Sequence, residues 1–170
     1  TDGDDKAFWN GITAPMIATS PWCVRANRMG WFNSTSCVQY NDEIDDMVAI
    51  VNEPGDAVFA DVILAADGTL PWAVPAYDVI VVQDAGNATN MAMAQADSVV
   101  LFARFDAWTQ FYPGSKDRPA GYRAFIGNGN DAAGPFNFYN FTPEARSVFL
   151  NEVAHMTDLG WGEKPKEIAV

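Results

Sequence analysis

Tyr77-Asp78-Val79-Ile80-Val81-Val82-Gln83 decides the fold class. Four β-branched residues in a row favour an extended backbone, and breakers bound them on both sides: Pro75 before, Asp84-Ala85-Gly86-Asn87 after. The stretch reads as a strand, and its neighbours read alike. Ala57–Ala66 is an apolar segment running into Asp67-Gly68, a two-residue hairpin signal. The return arm Thr69–Val74 contains Pro71, which confines it to a sheet edge or an irregular arm. Ser98–Phe105 and Tyr122–Ile126 complete the expected strands.

Helical spacing flanks this strand-rich middle. In Asp42–Val51, Ile44, Met47, Val48 and Val51 follow i, i+3, i+4, i+7, with Asn41 or Asp42 as N-cap and acidic residues at the positive end of the helix dipole. Pro143–Leu159 is the second long helix, with Thr142 as N-cap, Pro143 in the first turn and Gly160 as stop; its apolar face is Ala145, Val148, Phe149, Val153 and Met156. Ala88–Ala96, rich in Ala and Met, is expected to be a short helix, and Asp5–Trp9 a single turn. There is no βαβ alternation and no internal repeat. The pattern predicts an α+β fold, an antiparallel or mixed sheet covered by two main helices; a β-sandwich with peripheral helices is the alternative.

Residues 1–170 are of single-domain size, with residues 1–40 an irregular region packed on the body. Cys23 and Cys37 lie in or near that region without any zinc or haem pattern, so a Cys23–Cys37 disulfide is the favoured use and two buried thiols the alternative. Three sequons, at Asn33, Asn87 and Asn140, exceed the roughly one that chance predicts. With the cysteine pair and a polar start at Thr1 that fits a removed export signal, they give the expectation of a secreted, cell-surface or periplasmic glycoprotein.

The net charge of −12, from 22 acidic and 10 basic residues, disfavours nucleic acid and anionic lipid. No apolar run approaches the length of a membrane span, so no membrane insertion is expected.

Catalytic side chains are scarce. His155 is the lone histidine, and no G-x-S-x-G elbow accompanies it. Glu152-x-x-His155 has the spacing of a helix-borne metal pair but lacks the second such motif that a di-iron site needs, so no metal centre is assigned. Calcium enters only through Asn128-Gly129-Asn130-Asp131, where an ordinary turn explains the same residues. Asp61 interrupts an apolar strand; on a buried face its carboxyl would be desolvated, as a general acid requires, and on an open face it is an edge-strand polar residue. Aromatic residues make up 13% of the chain; Trp72, Trp108 and Tyr112 are the candidates for a ligand-binding face.

Three functions follow as expectations. The first is a non-catalytic extracytoplasmic binding module or subunit of an assembly, with protein subunits or carbohydrate as partner. The second is a small secreted carboxylate hydrolase acting on carbohydrate, with Asp61, Glu152 and His155 as candidates. The third is a capsid or filament protein.

Overall fold

The computed structural model describes residues 5–40, 47–74, 77–127 and 140–159, and of 38–40 and 77–78 the backbone alone. Numbered in chain order, β1 (Met16–Ala18), β3 (Met47–Val51), β4 (Thr69–Ala73), β6 (Thr89–Ala94), β7 (Val100–Phe105) and β8 (Arg123–Ile126) form one mixed sheet, ordered β1-β8-β7-β6-β3-β4. β1 lies parallel to β8, and every other pairing in this sheet is antiparallel. A second sheet pairs β2 (Cys37–Tyr40) antiparallel with β5 (Tyr77–Ile80). The helices are α1 (Lys6–Gly11), α2 (Pro21–Val24) and α3 (Pro143–Asp158).

The mixed sheet with a few helices matches the expected class, but the two main helices do not. Among the described residues α3 is the one long helix, with 16 residues; Thr142 caps it by accepting from Ala145 N at 3.2 Å, and Pro143 starts it. The segment expected as the first long helix ends as a strand: Met47–Val51 pairs with β4 on one side and β6 on the other. Met47, Ala49 and Val51 are its buried positions, a period of two hidden inside the helical spacing. Residues 42–46 of that expected helix lie outside the described residues.

Two further assignments change, the first by tertiary pairing overriding local propensity and the second by a local side-chain cap. Thr89–Ala94 is not a helix but strand β6, hydrogen-bonded between β3 and β7, with Met91, Ala92 and Ala94 buried. Ala57–Ala66 is not a strand: Asp56 accepts from Val58 N at 2.9 Å and starts a 3-10 turn over Ala57–Phe59. Asp67-Gly68 does form a turn, with Gly68 at φ +80°, but it does not join a hairpin, because β4 pairs with β3 instead. β4 stands at the sheet edge, where Pro71 withholds no ladder hydrogen bond that an inner strand would need.

Alternation along β7 and β8 serves two cores. Phe102, Ala124 and Ile126 pack with Ala145 and Val148 of α3, together with Phe59 and Trp72. Ala103, Phe105 and Phe125 join Val24, Trp31, Phe32, Ile80 and Phe111 in the other cluster. There Trp31 stacks on Phe111 at 6.0 Å and 18°, and Phe32 meets Phe125 edge-on at 5.2 Å. Burying each such ring contributes about 1.5–3 kcal/mol. The Trp31 indole N–H donates to Asn10 Oδ1 at 3.0 Å, so its polar edge is satisfied.

These rings hold residues 5–40 to the body in place of the expected staple. Cys23 and Cys37 are not joined: Cys23 sits in α2, while Cys37 opens β2 in register with Ile80. The disulfide assignment is therefore overturned. Sequence spacing set the length of the loop, but the backbone pairing keeps the two thiols apart.

No helix among the described residues is long and apolar enough to cross a membrane.

Candidate functional site

Of the three weak catalytic candidates, two meet on α3. Glu152 has no exposed surface, and its Oε2 accepts from Arg104 Nε of β7 at 3.0 Å and again from Nη2. The second carboxylate oxygen accepts from the Tyr122 hydroxyl at 2.7 Å. Arg104 Nη1 donates to Asp56 Oδ2, also at 2.7 Å. His155 completes the group, its ring edge-on to Tyr122 at 5.8 Å.

Burial works against the Arg104 cation, but hydrogen bonds to Glu152 and Asp56 outweigh it and hold its pKa above the ordinary value. Burial also raises the Asp56 carboxyl; the Val58 N–H and Arg104 reverse that, leaving it below the usual carboxylate range. The Tyr122 phenol is pushed up, first by burial and then by the Glu152 charge. Every oxygen of Glu152 is thus engaged, with no surface open to substrate. The arrangement ties α3 to the sheet.

Asp61 lies elsewhere. Its residue is exposed in the turn after the 3-10 segment, at φ 61°, and lines a shallow cavity of about 190 Å³ with Glu144 and Ser147 of α3. The expected strand, with its face buried or open, does not exist, and the exposed Asp61 lacks the burial that the general-acid alternative needs. Glu152 does not line that cavity.

The aromatic candidates separate just as sharply. Trp72 was expected on an exposed arm but is fully buried in β4, its indole N–H donating to Gly127 O at 2.7 Å and its ring edge-on to Phe141. Tyr112 is half-buried against the second core. Trp108 alone of the three lines a cleft, of about 450 Å³, with the end of α1, Thr13 and the segment Lys116-Asp117-Arg118.

The cleft is built from the long β7–β8 connection folded onto the N-terminal segment. Trp108 N donates to Pro119 O at 2.7 Å, Arg118 Nη1 donates to Trp108 O at 3.1 Å, and Ala120 N donates to Asn10 O at 2.7 Å. The first two bonds engage Trp108, which sits at φ 65°, a left-handed backbone that a bulky residue adopts only against a cost of order 1–3 kcal/mol. Its indole nitrogen is also buried without a hydrogen-bond partner among the described residues. Close approach behind the cleft needs Gly121, because a Cβ there would meet Thr13 O at 2.2 Å.

Arg123 secures the same wall. It is fully buried on β8 and donates to the carbonyls of Trp9, Asn10, Ile12, Ala14 and Tyr122. Burial alone pushes its pKa down to about 10, so the guanidinium remains charged at neutral pH. Among the described residues it forms no ion pair, and five backbone carbonyls solvate its charge.

Beside the cleft, Lys6 and Asp117 pair at 3.1 Å, and Gly30 makes room for them: a Cβ there would lie 2.9 Å from Lys6 Nζ. Sequence reading missed Lys116, Arg118 and Arg123. The first two left a trace, two cations two positions apart in a strongly acidic chain; Arg123 left none, since four of its five carbonyl partners lie over 100 residues away.

Among the described residues no group of three or more His, Cys, Asp or Glu side chains converges as a metal site, and residues 128–131, the calcium candidate, lie outside them. Asn33 and Asn87 are exposed, although Asn87 Nδ2 donates to Gln110 O at 2.8 Å; Asn140 is half-buried just before α3. No family model, curated protein or solved structure matches the chain.

Proposed function

We propose that the chain is a non-catalytic binding module that takes a small ligand in the Trp108 cleft. The observation that carries this reading is the strained backbone of Trp108, at φ 65° with hydrogen bonds to two neighbours, Pro119 and Arg118, beside a 450 Å³ opening. Backbone strain at a bulky residue persists only where its surroundings over-determine it, and such residues cluster at ligand sites. The opening is shallow and solvent-facing, with a volume that overlaps the lower range of small-molecule sites. The hydrolase reading draws less support: Glu152 is buried and fully bonded, and Asp61 opens onto a different surface. The extracytoplasmic setting is part of the proposal, but with Cys23 and Cys37 unbridged it rests on the sequons.

The test is a ligand screen read residue by residue. Backbone amide resonances are followed while mixtures of saccharides, carboxylates and nucleosides are added. The reading requires shifts that cluster at Trp108, Lys116 and Arg118 and that disappear in Trp108→Ala. Binding confined to another surface, or turnover of a glycan that Asp61→Asn abolishes, would replace it.

A further inference from the structure

We infer that the ligand of the Trp108 cleft is a ring bearing a carboxylate, with the ring against the indole and the carboxylate at Lys116 and Arg118. This rests on the binding-module reading and adds the charge and shape of the ligand.

Charge is the first argument. The whole chain carries −12, yet the cleft region is positive. Lys6, Lys116 and Arg118 stand there against Asp117, and Lys6 already neutralises Asp117 at 3.1 Å. Among the described residues Lys116 and Arg118 have no carboxylate partner. Arg118 spends one N–H on Trp108 O and keeps the rest of its planar fork, the geometry that matches a carboxylate. Arg123 adds a buried cation, without an ion-pair partner among the described residues, whose carbonyl partner Asn10 also lines the cleft. A positive patch in an acidic protein repels basic and attracts acidic molecules over roughly a Debye length, about 8 Å at physiological salt.

Shape is the second. A cleft of about 450 Å³ is far larger than a bare carboxylate and has room for one or two rings. Trp108 contributes a half-buried aromatic side chain to the lining, and Ala7 and Ala120 are small lining residues that occupy little of the space. Two sources share this chemistry, a sugar acid and an aromatic acid.

The experiment titrates the intact chain with four probes: glucuronate, benzoate, glucose and acetate. Glucose is a ring without the charge, and acetate the charge without the ring. Amide shifts at Trp108, Lys116 and Arg118 report binding. The proposal expects glucuronate or benzoate to bind more tightly than both controls, and whichever does so identifies the source. Lys116→Glu, at an exposed position, keeps the fold by circular dichroism and weakens that binding on the order of fivefold. Added salt weakens it as well. Glucose binding as tightly as glucuronate, or no response to Lys116→Glu, overturns the anionic ligand while leaving a binding module. If neither these probes nor the wider screen move the cleft resonances, both readings fall.

Discussion

Arg104 on β7 donates from Nε to Glu152 on α3 at 3.0 Å, and the receiving carboxylate has no exposed surface. This contact decides the orientation of α3. The face expected from apolar spacing included Val153, which is 38% exposed, whereas the acid beside it is at 0%. An acid can take an inward position of a helix only where its oxygens are satisfied, and here Arg104 and Tyr122 satisfy them.

Removing Glu152 leaves Arg104 with Asp56 as its remaining carboxylate partner and takes the acceptor from the Tyr122 hydroxyl. Glu152→Ala should therefore destabilise the fold by about 3–5 kcal/mol. Replacing the whole cluster, as Asp56→Asn, Arg104→Met, Tyr122→Phe and Glu152→Leu, should recover much of that loss, because the desolvation penalty vanishes with the charges and no partner is left orphaned. Urea unfolding of the single and quadruple variants measures the difference; equal losses would mean the cluster contributes more than it costs.

The Asp56 carboxyl has a folded pKa below its ordinary 3.8, so the folded state binds that proton less tightly than the unfolded chain. Its contribution to stability is full above pH 3.8 and fades as pH falls through the folded value. The stability gap between wild type and Asp56→Asn should accordingly be constant from neutral pH down to about 4 and close below it. Denaturant midpoints across pH 2–7 provide the readout, and a gap that widened in acid would contradict the assignment.

At Trp108 the backbone sits at φ 65°, where a Cβ is penalised. Trp108→Gly should be more stable than Trp108→Ala by about 1 kcal/mol, the reverse of their order in ordinary extended or helical backbone. Thermal melts of the two variants suffice. Alanine proving the more stable would mean the left-handed geometry is not retained once the ring is gone.

With Cys23 and Cys37 unbridged, adding a reductant should leave the melting temperature unchanged. After denaturation without reductant, both should take up an alkylating reagent, and intact mass should show two adducts. A mass two daltons low, with no adduct, would restore the bridge and require α2 and β2 to approach each other.

Physical scale explains which parts were legible. Thr142 and Pro143 mark the start of α3 because caps act through hydrogen bonds within one turn. Val100–Phe105 and Arg123–Ile126 are strands as read, since runs of buried apolar residues suit a central position whatever their partners. Met47–Val51 and Thr89–Ala94 misled, because their residues fit a helix locally and become strands only by pairing with each other and with β4 and β7. The site divided in the same way. Trp108 was among the named aromatics, but so was Trp72, and nothing local distinguishes a ring that closes a core from one that borders a cleft.

The sequence by itself determined the acidic charge, the strand-rich middle, the edge position that Pro71 demands and the capped C-terminal helix. All of these follow from composition, from backbone limits or from contacts within one turn. Tertiary structure alone decided that Cys23 and Cys37 stay apart, that Glu152 faces inward against Arg104, and that Lys116, Arg118 and Trp108 meet the end of α1. Each depends on which distant segments the sheet brings together, and local sequence does not encode the positions of such partners.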